Sequence, residues 1–159
     1  MTNYNNLDPD SRVWIYQSNK EISRETAALI KSEIENFVSQ WTAHNHALKA
    51  WGDLIENRFI VLMVDETQAG ASGCSIDKSV AFVKYCAEKA ALDFFDRFNF
   101  AYRVGGELHS ADRFEFEALY KKGEINDSTI VFNNLVQTKA EFEEKWQIPL
   151  AESWHKNFV

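Results

Sequence analysis

The sequence predicts an α+β fold: a ferredoxin-like β-α-β-β-α-β sandwich over about residues 12–104, extended by a C-terminal strand-helix-strand-helix segment. Three observations support this class. The six apolar residues 59–64, FIVLMV, are typical of a strand covered on both faces. Residues 30–41 and 80–94 each carry apolar side chains at helical spacing. Strand-like runs precede, separate and follow these two helices, which gives the order of the sandwich.

The first strand and the first helix follow a polar stretch. Residues 1–11 are predicted to form a flexible tail, because they are polar and offer little to bury. Residues 13–16, VWIY, are β-prone and form the first strand. Ser23 can cap the first helix, whose apolar side chains recur at helical spacing from Ile30 to Trp41.

The next two strands are predicted to pair as a hairpin. Residues 42–47 are predicted to be a loop and residues 48–56 a strand, with Asn57 in the turn that leads to the central strand. After the central strand, a loop of small residues reaches Asp77. This aspartate can cap a second helix over about residues 78–95.

The C-terminal part alternates strands and helices. Residues 98–103 alternate as a strand does and close the sandwich, and Asp112 can cap a third helix. Residues 129–136 form another predicted strand. Thr138 and Glu141 then have the spacing of a capping box for a last short helix.

The chain is long enough for one apolar core with a small addition, since it has 159 residues, of which 45% are hydrophobic. No internal repeat or linker-like stretch divides it. We therefore expect three parts: the tail of residues 1–11, an α+β core over residues 12–97, and a C-terminal α+β extension over residues 98–159 that packs on the core.

Charge and composition exclude several classes of partner. The net charge is −7 and no Lys/Arg cluster is present, so we expect neither nucleic acid nor a membrane surface as a partner. No apolar run approaches the roughly 20 residues that span a bilayer, and the start does not resemble a signal peptide. We expect a cytoplasmic protein without disulfide, metal or cofactor, because the two cysteines lack the spacing of metal ligands. The oligomeric state stays open.

The loop after the central strand is the first candidate site. Its small residues Gly70, Ser72, Gly73 and Ser75 let a ligand approach the backbone, and the helix start near Asp77 offers free N–H groups to an anion or phosphate. The loop is neither a Walker A motif nor GxGxxG. The alternative is a tight strand-to-helix connection in which Asp77 serves only as the cap.

Cys74 lies in the same loop. A thiolate near a helix start can act as a nucleophile, with His44 or His46 as its base if the fold brings them together. The alternative is an ordinary loop thiol. The two histidines alone do not predict a metal site. Asp65 and Glu66 are adjacent at a strand end and point to opposite faces, so they do not form a carboxylate pair.

Several segments together resemble a family of small Bacteroidetes proteins: VWIYQSN, QWTAH, RFIVLMVDE, GASGCSID, FFDR, TIVFNNLVQTKAEFEEKW and PLAESW. The resemblance covers nearly the whole chain. Members of that family are often labelled ABC transporter ATPases, but this chain has no Walker A motif, no LSGGQ signature and too few residues for an ATPase domain. We therefore predict that it is not an ATPase.

The C-terminal third resembles GYF-type adaptor modules of bacteria, which run as a tyrosine strand, a helix ending in a Lys/Gly turn, and a strand with the pattern I-x-x-x-T-x-V. The matching residues are Tyr102, Leu119, Gly123, Ile125, Thr129 and Val131. The Gly-Pro that precedes the helix in those modules is replaced here by residues 108–112. The resemblance implies protein or peptide binding, often of proline-rich segments, with Tyr102 in the binding site.

Taken together, these features favour a non-enzymatic adaptor that binds a protein or peptide. The sequence contains no complete catalytic constellation, and 14% of its residues are aromatic. The alternative is a small enzyme or phosphate-ligand-binding protein that uses the loop of residues 65–77 with Cys74. A third possibility is a structural subunit that oligomerises through its sheet.

Overall fold

The computed structural model describes residues 1–159 and confirms the α+β class. The strands are β1 (Arg12–Gln17), β2 (Thr42–Ala43), β3 (His46–Ala47), β4 (Lys49–Ile55), β5 (Phe59–Asp65), β6 (Asn99–Val104), β7 (Glu107–Asp112), β8 (Ile130–Phe132) and β9 (Gln147–Pro149). The helices are α1 (Arg24–Gln40), α2 (Gly73–Ala90), α3 (Arg113–Lys121) and α4 (Lys139–Lys145), with short 3-10 helices at Tyr4–Asn6, Leu150–Glu152 and Trp154–Phe158. No helix combines the length and the apolar character that crossing a membrane requires.

The predicted central strand, β5, is the middle strand of a three-stranded antiparallel sheet with the order β1-β5-β4. All seven of its residues are buried, as its unbroken apolar run predicts. Its even-numbered side chains from Ile60 to Val64 face a core under α1 and α2. Its odd-numbered side chains from Phe59 to Met63 face a second core on the other side of the sheet.

Helix α1 lies close against the first sheet. It begins after Ser23, whose side chain accepts the N–H of Thr26, as the sequence predicts. At Gly52 of β4, an added Cβ would come within 2.8 Å of Ile34 on α1 and 2.9 Å of Leu62 on β5. The close approach of the helix to the sheet therefore requires glycine at this position.

A second antiparallel sheet, with the order β7-β6-β8-β9, packs face to face on the first. Between the sheets, Phe59 of β5 stacks on Phe132 of β8 with 4.9 Å between ring centroids, and Trp146 meets Phe59 edge-on at 5.0 Å. The outer face of the second sheet is covered by α3 and the C-terminal 3-10 helices. The chain thus forms four layers: helices, sheet, sheet and helices.

The first sheet differs from the predicted ferredoxin-like sheet in its fourth strand. β6, the fourth strand of the predicted sandwich, lies in the second sheet between β7 and β8 and not in the sheet of β1. β7, a strand that was not predicted, follows β6 through the Gly105-Gly106 turn and pairs with it along six residues. This partner is local in the chain, so pairing with it costs less loop entropy than pairing with the distant β1.

Residues 1–11 pack on the core and do not form the predicted loose tail. Leu7 is buried between the two sheets. The ammonium group of Lys139 donates hydrogen bonds to the carbonyl oxygens of Tyr4 and Leu7, both at 3.0 Å. The polar composition of this segment did not reveal its packing, because the residue that holds it is more than 130 positions away.

Candidate functional site

Helix α2 begins five residues earlier than predicted, and Ser72 is its cap. The hydroxyl of Ser72 accepts the N–H of Ser75 at 3.1 Å, and the hydroxyl of Ser75 accepts the N–H of Ser72 at 2.7 Å. Asp77, the predicted cap, therefore lies within the helix. The prediction failed because serine and aspartate are both good caps, and only the reciprocal serine pair satisfies two N–H groups at once.

Backbone N–H groups of the loop before α2 are already bonded to side chains of the protein. The carboxylate of Glu66 accepts the N–H of Ala71 at 2.9 Å and lies next to Gly70. A negative charge thus already occupies the loop where an anion was expected to bind, and the N–H groups of Ser72 and Ser75 are engaged in the cap. This geometry favours the alternative interpretation of the loop, a tight strand-to-helix connection.

Cys74 and His44 lie at the same end of the molecule but are not joined. Cys74 is exposed in the first turn of α2, after Gly73, and His44 is exposed in the turn between β2 and β3. β2 lies against α2, and Trp41, which precedes β2, donates its indole N–H to the carbonyl of Ser75 at 2.9 Å. No hydrogen bond links the thiol to His44 or to His46 of β3, so the nucleophile–base contact is not made in this structure.

The structure also brings together no three His, Cys, Asp or Glu side chains that could hold a metal ion.

Tyr102, the residue that the GYF-type resemblance points to, is buried on β6. Its ring stacks on His109 at 5.6 Å and meets Phe116 of α3 edge-on at 5.9 Å. Burial raises the pKa of the tyrosine. With Glu115 and Leu119 it lines a groove of about 270 Å³ beside α3. Its main contacts are thus with the core, and only a small part of the ring reaches this groove.

A larger cleft, of about 730 Å³, lies beside β1 and is called the β1 cleft below. It is lined by residues 13–17 of β1, by residues 94–100 that lead into β6, by the segment after β8, and by the last 3-10 helix. Twelve of its 19 lining residues are hydrophobic, so its surface is mainly apolar. It lies along the edge of β1 that does not pair with β5.

The backbone of β1 shows which of its groups face this cleft. Ser18, directly after β1, donates its N–H to the carbonyl of Arg58 at 2.7 Å. In an antiparallel pair, every second residue of a strand bonds to the neighbouring strand. Because Ser18 bonds in this way, the other even-numbered residues of β1 also bond to β5. The odd-numbered residues then point their N–H and C=O groups away from β5. The N–H of Val13 agrees with this register, because it bonds outward to Gln137 at 3.0 Å.

Farther along β1, no strand pairs with the outward groups. Ile15 and Gln17 therefore present backbone donors and acceptors to the β1 cleft. The open stretch is bounded at one end by the contact with Gln137 and at the other by Asn19, whose N–H bonds to the carbonyl of Asp93 at 2.8 Å. The unpaired edge of β1 is therefore a short stretch of backbone with a hydrogen-bonded residue at each end.

A network of amide side chains fixes the base of the cleft. The side-chain nitrogen of Gln17 donates to the backbone carbonyl of Asn99 at 2.8 Å, and its oxygen accepts from Asn134 at 3.0 Å. Asn134 in turn accepts the indole N–H of Trp146 at 3.0 Å. These part-buried bonds tie β1 to the second sheet and fix the position of the cleft's base.

One wall of the cleft is aromatic and uncharged. His155 is 1% exposed, stacks on Trp154 at 3.8 Å and meets Phe100 edge-on at 5.2 Å. Its Nδ1 lies 2.6 Å from the hydroxyl of Ser153. Burial lowers the pKa of His155 to about 4, so the imidazole is neutral at physiological pH. Asp96 and the arginine after it are the charged residues of the lining.

Compared with known proteins, the chain matches no protein-family model, no curated protein and no solved structure. The two resemblances stated from the sequence therefore stay predictions. The β1 cleft was not predicted, because residues 98–103 were expected to lie in the same sheet as β1. The available signal was FFDRFNF at residues 94–100, which is too rich in aromatic residues for an ordinary connection.

Proposed function

We propose that this protein is a non-enzymatic adaptor that binds an apolar segment of a partner protein in the β1 cleft. The observation that carries the proposal is the concave apolar surface with large exposed side chains at its rim. Phe95, Phe98 and Leu135 line the cleft and are 39%, 50% and 67% exposed. Exposed apolar side chains gathered around a preformed concave site mark a binding surface more often than scattered ones do.

The shape and the charge of the site favour a partner segment over a second copy of this chain. A twofold dimer needs a surface that complements itself, and two facing concave clefts leave each other unfilled. A stable interface also needs about 800 Å² from each partner, which is more than one cleft of this size offers to a globular surface. Each copy carries a net charge of −7, so self-association also works against charge repulsion.

The enzyme alternative has less support. It requires the loop of residues 65–77 to receive a ligand, and the carboxylate of Glu66 together with the Ser72–Ser75 cap already uses that loop. The adaptor proposal agrees with the function that the GYF-type resemblance implies, although the β1 cleft and Tyr102 lie in different places.

Selection of random heptapeptides displayed on phage against the immobilised protein tests the proposal. Enriched peptides are synthesised with a fluorescent label and titrated by fluorescence polarisation. Leu135→Asp places a charge at the rim of the cleft, and Leu29→Asp is the matched control, because Leu29 is 60% exposed on α1 outside the cleft.

We expect Leu135→Asp to weaken binding about tenfold or more, since losing one buried leucine contact costs about 1.5–3 kcal/mol. Leu29→Asp should leave the affinity unchanged. The proposal fails if no peptide is enriched, or if the enriched peptides bind both variants equally well.

A further inference from the structure

The open edge of β1 indicates how a segment is held in the cleft. The odd-numbered residues Ile15 and Gln17 direct N–H and C=O groups that no strand pairs into the β1 cleft, whose lining is mainly apolar. An extended chain beside β1 would pair with these groups and continue the ladder that Gln137 begins at Val13. No side chain of the lining offers an equivalent row of donors and acceptors.

We infer that the bound segment is a short, extended, proline-poor strand that pairs with β1 and becomes the fourth strand of the first sheet. The inference rests on the proposed function and specifies its binding mode, which is β-strand addition. The open stretch between Val13 and Asn19, whose N–H groups are already bonded, corresponds to roughly five residues of extended chain, at about 3.3 Å per residue.

The lining also specifies the side chains of such a strand. Alternate side chains of an added strand point to the two faces of the first sheet. On the face toward the second sheet they lie near Phe132, and on the other face they lie near Tyr16 and Phe95. Because both faces are apolar, we expect consecutive apolar residues instead of an apolar-polar alternation. With a net charge of −7 on the chain, residues that flank this stretch are expected to be neutral or basic.

Proline distinguishes this mode from the proline-rich ligands that the GYF-type resemblance implies. A proline has no N–H and cannot donate to a strand ladder. A segment that pairs with Ile15 and Gln17 must therefore lack proline at its pairing positions.

The test is an N-methyl scan of the tightest heptapeptide from the selection, in which each backbone N–H is methylated in turn and the affinity is measured. In strand addition, every second N–H of the peptide points toward β1. We expect methylation at those positions to weaken binding about tenfold or more, and methylation between them to change it less than about threefold. A loss of affinity that does not alternate between successive N–H positions of the peptide overturns the inference.

Amide hydrogen exchange followed by NMR gives a second readout on the unmodified protein. The N–H groups of Trp14 and Tyr16 already bond to β5 and should exchange slowly with or without peptide. The N–H groups of Ile15 and Gln17 should become protected only when the heptapeptide is added. Equal exchange at these two residues with and without saturating peptide overturns strand addition.

The outcomes separate the inference from the proposed function. If Leu135→Asp weakens binding but the scan shows no alternation, the cleft binds a segment in another way, and only strand addition fails. If Leu135→Asp has no effect, the proposed function itself fails. Sedimentation of the free protein is expected to show a monomer, and a dimer that the heptapeptide dissociates would assign the cleft to a second copy and overturn the inference.

Discussion

Replacing Asp65 by asparagine tests the polar anchor at the end of β5. The carboxylate is 1% exposed. One of its oxygens accepts the N–H and the hydroxyl of Thr67 at 3.0 and 2.6 Å. The other accepts the N–H of Asp8 at 3.0 Å and lies 3.2 Å from the ammonium group of Lys49. Asparagine keeps one oxygen for Thr67, but its amide group then faces the two remaining donors.

The expected cost follows from these contacts. The lost hydrogen bond from Asp8 to a charged group is worth about 1.5–3 kcal/mol. The contact with Lys49 adds about 0–1 kcal/mol, because the side chain of Lys49 is 31% exposed and is solvated when its partner is lost. We therefore expect Asp65→Asn to lower the free energy of unfolding by about 2–4 kcal/mol at neutral pH. Burial alone would raise the pKa of Asp65, but the hydrogen bonds from Thr67, Asp8 and Lys49 outweigh it and hold that pKa well below its usual range.

The sign of the pH dependence follows from this lowered pKa. A carboxylate with a lower pKa in the folded state stabilises the protein above its unfolded-state pKa of about 3.9, and this stabilisation is lost as the pH falls toward the folded-state value. The difference in stability between the wild type and Asp65→Asn should therefore be full at neutral pH. It should narrow when the solution is acidified below about pH 4.

Urea unfolding followed by circular dichroism measures both effects. Asp53→Asn is the matched control, because its carboxylate is 44% exposed and lies 3.9 Å from Lys31 in a surface pair, whose loss costs about 0–1 kcal/mol. A difference below about 1 kcal/mol between wild type and Asp65→Asn at neutral pH, or one that stays constant on acidification, would refute the reasoning.

Three further predictions concern packing, the N-terminal segment and the thiols. Gly52→Ala should destabilise the protein by about 1–3 kcal/mol in the same urea assay, because the added methyl meets α1 and β5, whereas Gly73→Ala, which meets no atom within 4 Å, should not. Lys139→Met should leave residues 2–8 open to limited proteolysis and lower the unfolding free energy by about 1–3 kcal/mol, because the buried carbonyl of Leu7 loses its side-chain donor and the part-buried carbonyl of Tyr4 loses one of two donors. Cleavage no faster than in the wild type would contradict this. At mildly alkaline pH, an alkylating reagent should modify the exposed Cys74 in the native protein and reach the buried Cys86 only in urea, because burial raises the pKa of Cys86 to about 12. Mass spectrometry counts the modified thiols. Two modified thiols in the native protein would contradict this prediction.

The sequence predicted the elements whose signals are local. The apolar run of β5, the helical stripe of α1 with its Ser23 cap, and the Asp112 and Thr138 caps of α3 and α4 all lie where these patterns indicated. Such signals depend on residues a few positions apart, so neighbouring side chains and backbone groups decide them.

The features that the sequence did not reveal depend on contacts between residues far apart in the chain. β6 lies in the second sheet beside β7 and not in the sheet of β1, and no local sequence pattern indicates which sheet a strand joins. The β1 cleft exists only because this arrangement leaves one edge of β1 free. In the same way, the burial of Leu7 depends on Lys139 from the other end of the chain. A candidate site that lies beside an unpaired strand edge can be identified only when the strand order of the sheets is known.

The sharing of β5 between two cores also gives the chain a set of natural optical reporters. Trp14 and Trp41 lie in the core under α1 and α2, Trp51 and Trp146 lie between the sheets, and Trp154 packs against the cluster on the outer face of the second sheet. Indole emission reports the polarity around each ring, so single Trp→Phe variants would resolve the melting of one layer from that of the next. Because one strand supplies both inner cores, their emission changes should coincide during unfolding, while that of Trp154 is free to differ.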